Sequence, residues 1–267
     1  MDSRPIGVFD SGFGGLTAVR VLRKLLPAED IVFFADNGRA PYGGRPTDEL
    51  RRMARQDLEL VASYDTKAII AACGTVSSNA ADVLRNFRVP TIGVLDAAAE
   101  TLGAETDGGA IGVIATEASI RSGAFDAALR RSCPGREIVS IACPAFVPLI
   151  ESGRCDETDG ELREAVALYL RPLKERGVST LLLGCTHYGL IEAALRAYLG
   201  DGVRLVEASR CAAEKLRDYV TEHNMTGGCG QLRCLTSGEG ARFRRLAPLF
   251  LREDEAPPTE TLPPMEI

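Results

Sequence analysis

Short, fully apolar runs alternate with stretches whose apolar residues recur at helical spacing. Ile6–Phe9 is the first such run and leads into Asp10-Ser11-Gly12-Phe13-Gly14-Gly15; Leu16, Val19, Leu22 and Leu26 then mark one face of a helix that Pro27 ends. Ile31–Ala35 predicts a second strand. Thr47, Asp48 and Glu49 open a helix whose buried face carries Leu50, Met53, Ala54, Leu58 and Val61. Ala68–Ala72 and Thr91–Val94 predict two more strands, and Ile111–Ala115, Glu137–Ile141, Ser179–Leu183 and Val203–Val206 four further ones. Strands that alternate with helices imply α/β layers with parallel sheets.

The two sets of four are spaced alike. Ile6 and Ile31 are 25 positions apart, Ile111 and Ile138 are 27 apart; Cys73 precedes Ile92 by 19 and Cys185 precedes Leu205 by 20. This pattern predicts two similar parallel-sheet α/β domains in a pseudo-two-fold arrangement, with an active site in the cleft between them. The expected boundaries are 1–97 for the first domain and 98–207 for the second, with 208–251 assigned to the first by the family resemblance given below. Beyond them, Ala212–Val220 predicts a helix, Leu232–Leu235 a strand and Ala241–Leu251 a helix. Residues 252–267 hold five acids and four prolines, which predicts a disordered tail.

Composition narrows the function classes. The chain has 267 residues, 45% hydrophobic and 25% charged, with a net charge of −6. An acidic chain is poorly suited to nucleic-acid backbones. No apolar run approaches the ~20 residues of a membrane span, and Met-Asp-Ser-Arg-Pro has no export pattern, so a cytoplasmic protein is expected. The eight cysteines are scattered and are read as reduced thiols. Cys229 and Cys234 form a lone Cys-x4-Cys, a weak metal signal, and are taken as structural.

Parallel strands present binding loops at their carboxyl ends. Here these are Asp10–Gly15, Pro41–Gly44, Cys73–Ser78, Thr116–Gly123 and Cys185–Tyr188, rich in glycine and hydroxyls and without a Walker or dinucleotide motif. Cys73 and Cys185 each stand where a strand ends and a helix is about to begin. A thiol so placed is expected to be partly exposed and acidified by helix-terminal N–H groups. Across a two-fold cleft, two cysteines suit stereochemical inversion: one thiolate removes a proton from one face of a carbon and one thiol returns a proton to the other. Asp10 and His187 occupy the equivalent loops and are candidates to tune those protons.

At these residues the sequence resembles the glutamate racemases, cofactor-independent members of the aspartate/glutamate racemase superfamily. The matching pieces are Ile6-Gly-Val-Phe-Asp-Ser-Gly-Phe-Gly-Gly-Leu16, Ala40-Pro-Tyr-Gly43, Ala72-Cys-Gly-Thr75, Ala142-Cys-Pro-Ala-Phe-Val-Pro-Leu149, Gly184-Cys-Thr-His-Tyr188 and Thr236-Ser-Gly238. The resemblance spans about residues 5–251. It implies that Cys73 and Cys185 transfer protons with help from Asp10 and His187. It further implies that Asp10, Ser11, Tyr42, Gly43, Gly74, Thr75, Glu151, Thr186 and His187 line a glutamate site, without metal or pyridoxal phosphate. A homodimer and a role in peptidoglycan precursor supply are also implied. Where the family has Cys-Asn-Thr this chain has Cys73-Gly74-Thr75, which removes an amide donor; restoring it by Gly74→Asn is expected to strengthen glutamate binding or leave it little changed. Two alternatives stay open at this level: a racemase for another amino acid, and a catalytically weak member that acts on a protein such as gyrase.

Overall fold

The computed structural model describes residues 1–105, 108–263 and 265–266. Ten strands, all parallel to their neighbours, make two sheets. In the first sheet, β1 (Ile6–Asp10), β2 (Ile31–Ala35), β3 (Ala68–Ala71) and β4 (Thr91–Gly93) are joined by β9 (Leu232–Thr236) and β10 (Thr259–Thr261), in the order β10-β9-β2-β1-β3-β4. In the second, β5 (Ile111–Ala115), β6 (Ile138–Ala142), β7 (Thr180–Leu183) and β8 (Arg204–Glu207) run in the order β6-β5-β7-β8.

The order β2-β1-β3-β4 is therefore repeated as β6-β5-β7-β8. Register repeats as well: Ile6 lies opposite Ile31 and Ala68, and Ile111 opposite Ile138 and Thr180. The central strands β1, β3, β5 and β7 are buried along their whole length. That burial on both faces is why they read as unbroken apolar runs rather than alternating ones.

The halves are joined by helices rather than by a linker. The expected boundary at 97/98 falls inside the helix Val94–Gly103, which packs on the helix Ala208–Glu222 and also on the helix Ala124–Ser132 of the second half. The largest apolar core runs without a break through both halves; a second one fills the outer face of the first sheet, between Phe9, Val32 and Phe34 on the strands and Leu50, Met53, Leu58 and Val61 on the covering helix.

The disordered tail expected at 252–267 is corrected over its middle. Thr259–Thr261 forms β10 against β9, and the amide of Leu262 donates to the carbonyl of Thr236 at 2.8 Å. Backbone pairing along an otherwise open sheet edge holds this strand, and its side chains stay largely exposed. Residues 264 and 267 of that stretch lie outside the described residues.

At the amino-terminal end of the first sheet a buried ion pair ties three segments together. Lys67 Nζ meets Glu29 Oε2 and donates to the carbonyls of Asp2 (2.7 Å) and Gly227 (3.2 Å), while the Gly227 amide donates to Glu29 Oε1 at 2.8 Å. Removing one partner strands a buried charge, so Lys67→Met should cost about 3–5 kcal/mol in urea unfolding. The double variant Lys67→Met/Glu29→Gln should recover part of that loss. A single variant as stable as the parent would show that the pair is dispensable.

Candidate active site

The carboxyl ends of both sheets open onto one cleft of about 930 Å³. Asp10 is the last residue of β1, and the turn after it carries Ser11. Cys73 follows β3 and caps the helix Gly74–Asn79. Gly184-Cys185-Thr186-His187 follows β7 and leads into a 3-10 turn at Tyr188–Ile191. All of the candidate residues line this cleft: Asp10, Ser11, Tyr42, Gly43, Cys73, Gly74 and Thr75 from the first half, and Glu151, Cys185, Thr186 and His187 from the second.

Each cysteine has its own polar companions. Cys73 Sγ lies 3.2 Å from Ser11 Oγ, which in turn donates to Asp10 Oδ1 at 3.2 Å. Cys185 Sγ lies 3.9 Å from His187 Nδ1, and His187 Nε2 lies 3.1 Å from Glu151 Oε1. The second oxygen of Glu151 is held by Arg242. That Arg242–Glu151 contact crosses between the halves, as do Thr186 Oγ1, which donates to Asp10 Oδ2 at 3.0 Å, and the hydroxyls of Thr75 and Thr116, which meet at 3.1 Å.

The thiols differ from the expectation of partly exposed, acidified groups, for both are buried. Burial pushes the Cys73 thiol up to about 12, and the charge of Asp10 adds to this; the Ser11 hydroxyl and the amides of Val76 and Ser11 act in the opposite direction. Desolvation outweighs the helix-terminal N–H groups here. Burial alone would make His187 less basic, but its contacts with Cys185 and Glu151, with Asp10 beyond, lift it to about 10. Desolvation opposes the charge of Glu151, yet His187 and then Arg242 hold its carboxyl below the usual range. At neutral pH, then, an imidazolium lies against the Cys185 sulfur, whereas Cys73 is a thiol.

Tyr42 is placed differently from a hydroxyl donor in the cleft. Its ring is buried, and its hydroxyl is engaged by Asp57 Oδ2 at 3.0 Å and by Asp36 Oδ2. Arg39 donates to the same two carboxylates at 2.6 and 2.7 Å, and Ser237 Oγ donates to Asp36 Oδ1 at 2.6 Å. Burial, followed by the charge of Asp36, raises Asp57 well above the carboxylate range against the pull of Arg39 and Tyr42. Tyr42 is a wall of the cleft and an anchor for the loop that carries Gly43.

The expectation for Gly74→Asn also changes. A Cβ at Gly74 would stand 2.1 Å from the carbonyl oxygen of Gly184, so the space for an amide side chain is taken by backbone from the other half. Reasoning from sequence missed Arg242 and Arg245 at the mouth; it named the loop Thr116–Gly123 after β5 but did not single out Thr116 as a site residue. Thr116 had a signal, a hydroxyl directly after an apolar strand. Arg242 had none, since its partner Glu151 is 91 positions away.

Among the described residues no group of three or more His, Cys, Asp or Glu has metal-holding geometry. No helix there is long and apolar enough to cross a membrane.

Comparison with known proteins places this geometry. The Asp/Glu/Hydantoin racemase family matches residues 17–216. A glutamate racemase of Chlorobaculum parvum is 36% identical over 252 residues, 92% of each chain. One of Geobacter metallireducens is 40% identical over 223 residues, 81% of this chain and 82% of that protein. Among solved structures, the glutamate racemase of Francisella tularensis in complex with D-glutamate superposes with a TM-score of 0.89 at 32% identity, covering 98% of both chains. Family match, near-complete coverage and shared fold together show that the chain belongs to the Asp/Glu/hydantoin racemase family, on its glutamate racemase branch.

Proposed function

We propose that this protein interconverts L- and D-glutamate without a cofactor, with Cys73 and Cys185 as proton-transfer groups on opposite sides of the α-carbon. The observation that carries the reading is the repeat: two buried cysteines at equivalent strand ends of two like sheets, lining one cleft, each with an acid/base companion. Glutamate as substrate is supported by the relatives and by the D-glutamate complex of the Francisella tularensis protein.

In one direction the sulfur of Cys185, with His187 beside it, takes the α-proton. The carbon becomes a planar carbanion, and the Cys73 thiol delivers its proton to the opposite face. The product leaves the sulfurs in exchanged protonation states, which suits the reverse reaction. Glu151 holds the imidazolium of His187, while at Cys73 the Ser11 hydroxyl lies against the sulfur and Asp10 behind it keeps the thiol protonated. Ser11, Gly43, Gly74, Thr75, Thr116 and Thr186 line the cleft with hydroxyls and backbone N–H groups, and the reading assigns them to the two carboxylates of the substrate. Arg242 and Arg245 supply positive charge at the mouth, which a dianionic substrate needs in an acidic chain. The reading extends to a cytoplasmic homodimer that supplies D-glutamate for peptidoglycan.

Protein freed of metal and pyridoxal phosphate should convert L-glutamate to a mixture of enantiomers, followed by chiral chromatography. Activity that needs either addition would overturn the mechanism. Cys73→Ala and Cys185→Ala should each lower the racemisation rate by about 10²–10⁴-fold, the range for loss of an acid/base group. Parental rates in either variant would remove that cysteine from the reaction.

Because His187 titrates at about 10, kcat/KM should fall as pH rises through that value and the imidazolium is lost. Glu151 raises the basicity of His187, so Glu151→Gln should move this alkaline limb to lower pH. A limb that stays in place, or moves upward, would disconnect Glu151 from the titration.

A further inference from the structure

Two glycines of the first half approach the Cys185 turn so closely that neither position has room for a side chain. A Cβ at Gly74 would stand 2.1 Å from the Gly184 carbonyl oxygen; one at Gly14 would stand 2.0 Å from Thr186 Oγ1 and 2.6 Å from His187 Nδ1. Carbon and oxygen settle at ~3.3–3.6 Å in even their closest favourable contacts, so a methyl group at position 74 requires a shift of roughly 1 Å. Neither glycine has a left-handed backbone, so the requirement is space rather than conformational freedom.

The backbone on both sides of the Gly74 contact is fixed. The Gly184 amide donates to the Ile114 carbonyl of β5 at 2.8 Å, and the Gly74 carbonyl accepts from Ser78 Oγ at 2.7 Å. The two approaches bracket Cys185, one at the residue before it and the other at the two residues after it. One of them is made by the residue next to Cys73.

We infer that Gly14 and Gly74 are positioning residues, a two-point backbone stop that sets how near the two halves come and thereby the reach of both sulfurs to one carbon. This rests on the racemase reading above. Inversion needs both sulfurs within proton-transfer distance of the same α-carbon. Widen the gap and a substrate against one wall still loses its proton to the nearer thiolate: the C–H bond breaks and an S–H bond forms. The far thiol no longer reaches the carbanion. The near thiol exchanges its proton with solvent and returns it to the same face, so isotope enters without a change of configuration.

The test compares Gly74→Ala, Gly74→Asn and Gly14→Ala with the parent in D2O. Gly160→Ala serves as control, since Gly160 has open space around it at the start of an exposed helix turn far from the cleft. Chiral chromatography reads inversion, and mass spectrometry reads α-deuterium in recovered starting enantiomer. Inversion should fall at least ten-fold in all three variants with kcat affected more than KM. The ratio of retained-configuration exchange to inversion should rise several-fold, and Gly160→Ala should match the parent. A general structural defect lowers exchange and inversion by the same factor, and that result overturns the inference, as does a Gly74→Asn protein that racemises like the parent or faster. Amide hydrogen exchange over residues 184–191 gives a readout independent of turnover, including for any variant too inactive to assay: faster exchange in Gly74→Ala or Gly14→Ala supports the stop, and unchanged exchange overturns it. A parent protein that neither inverts nor deuterates glutamate refutes the racemase reading alone, and the amide exchange then still decides the stop.

Discussion

Contact between the two halves at the carboxyl ends of their sheets is the constraint on which the rest depends. Gly74 meets the Gly184 carbonyl and Gly14 meets the Thr186 and His187 side chains at distances that exclude a Cβ. Only at that spacing can Thr186 reach Asp10 and Thr75 reach Thr116 across the cleft. The second half is inserted into the first through the helices Val94–Gly103 and Ala208–Glu222, which lie packed on each other. Both crossings are thus stiff and adjacent, and the core continues through them.

Closure in turn governs the electrostatics. Cys73 has no cation beside it, so burial and the charge of Asp10 keep it a thiol. Cys185 has His187, held by Glu151, which is held by Arg242. The repeated scaffold therefore carries unlike surroundings at its two equivalent sulfurs. The proposed one-proton chemistry needs one thiol and one thiolate at a time, since two thiols lack a base and two thiolates lack an acid.

Much of this was legible in the sequence. Strands buried on both faces announce themselves as apolar runs, and Ile6–Asp10, Ile31–Ala35 and Ile111–Ala115 were read within a residue of their bounds. Cys73, Cys185, Asp10 and His187 were findable because strand ends in parallel sheets carry the chemistry, and the motifs around them are distinctive. Other features were hidden because tertiary contact creates them. Strand Thr259–Thr261 is held by backbone pairing, which leaves no mark on an acidic, proline-rich composition. Desolvation of Cys73 depends on the wall opposite. Tyr42 carries the expected residue type, but its hydroxyl is claimed by Asp36 and Asp57, far from it in any local pattern. Gly74 looked like a missing donor, and only the position of the Gly184 carbonyl gives its absence of a side chain a physical reason.

Burial of the sulfurs at first looks adverse, since it opposes the thiolate that the proposed reaction requires. The α-carbon of an amino acid is a very weak acid, however, and an exposed thiolate, well solvated, is a modest base. A sulfur whose conjugate acid is pushed to about 12 is scarce as thiolate but far more basic once formed. Excluding water therefore exchanges population for driving force. On one side the His187–Glu151–Arg242 chain presents positive charge to the Cys185 sulfur that is fixed before substrate arrives. On the other side the proton is already on Cys73, where delivery to a carbanion needs it. The same dry environment keeps solvent from protonating the carbanion at random, so the face that receives the proton is decided by which sulfur is within reach. In the proposed reaction the close approach of the two halves places the carbanion's proton donor in advance, where a cofactor would instead stabilise the carbanion by delocalising its charge.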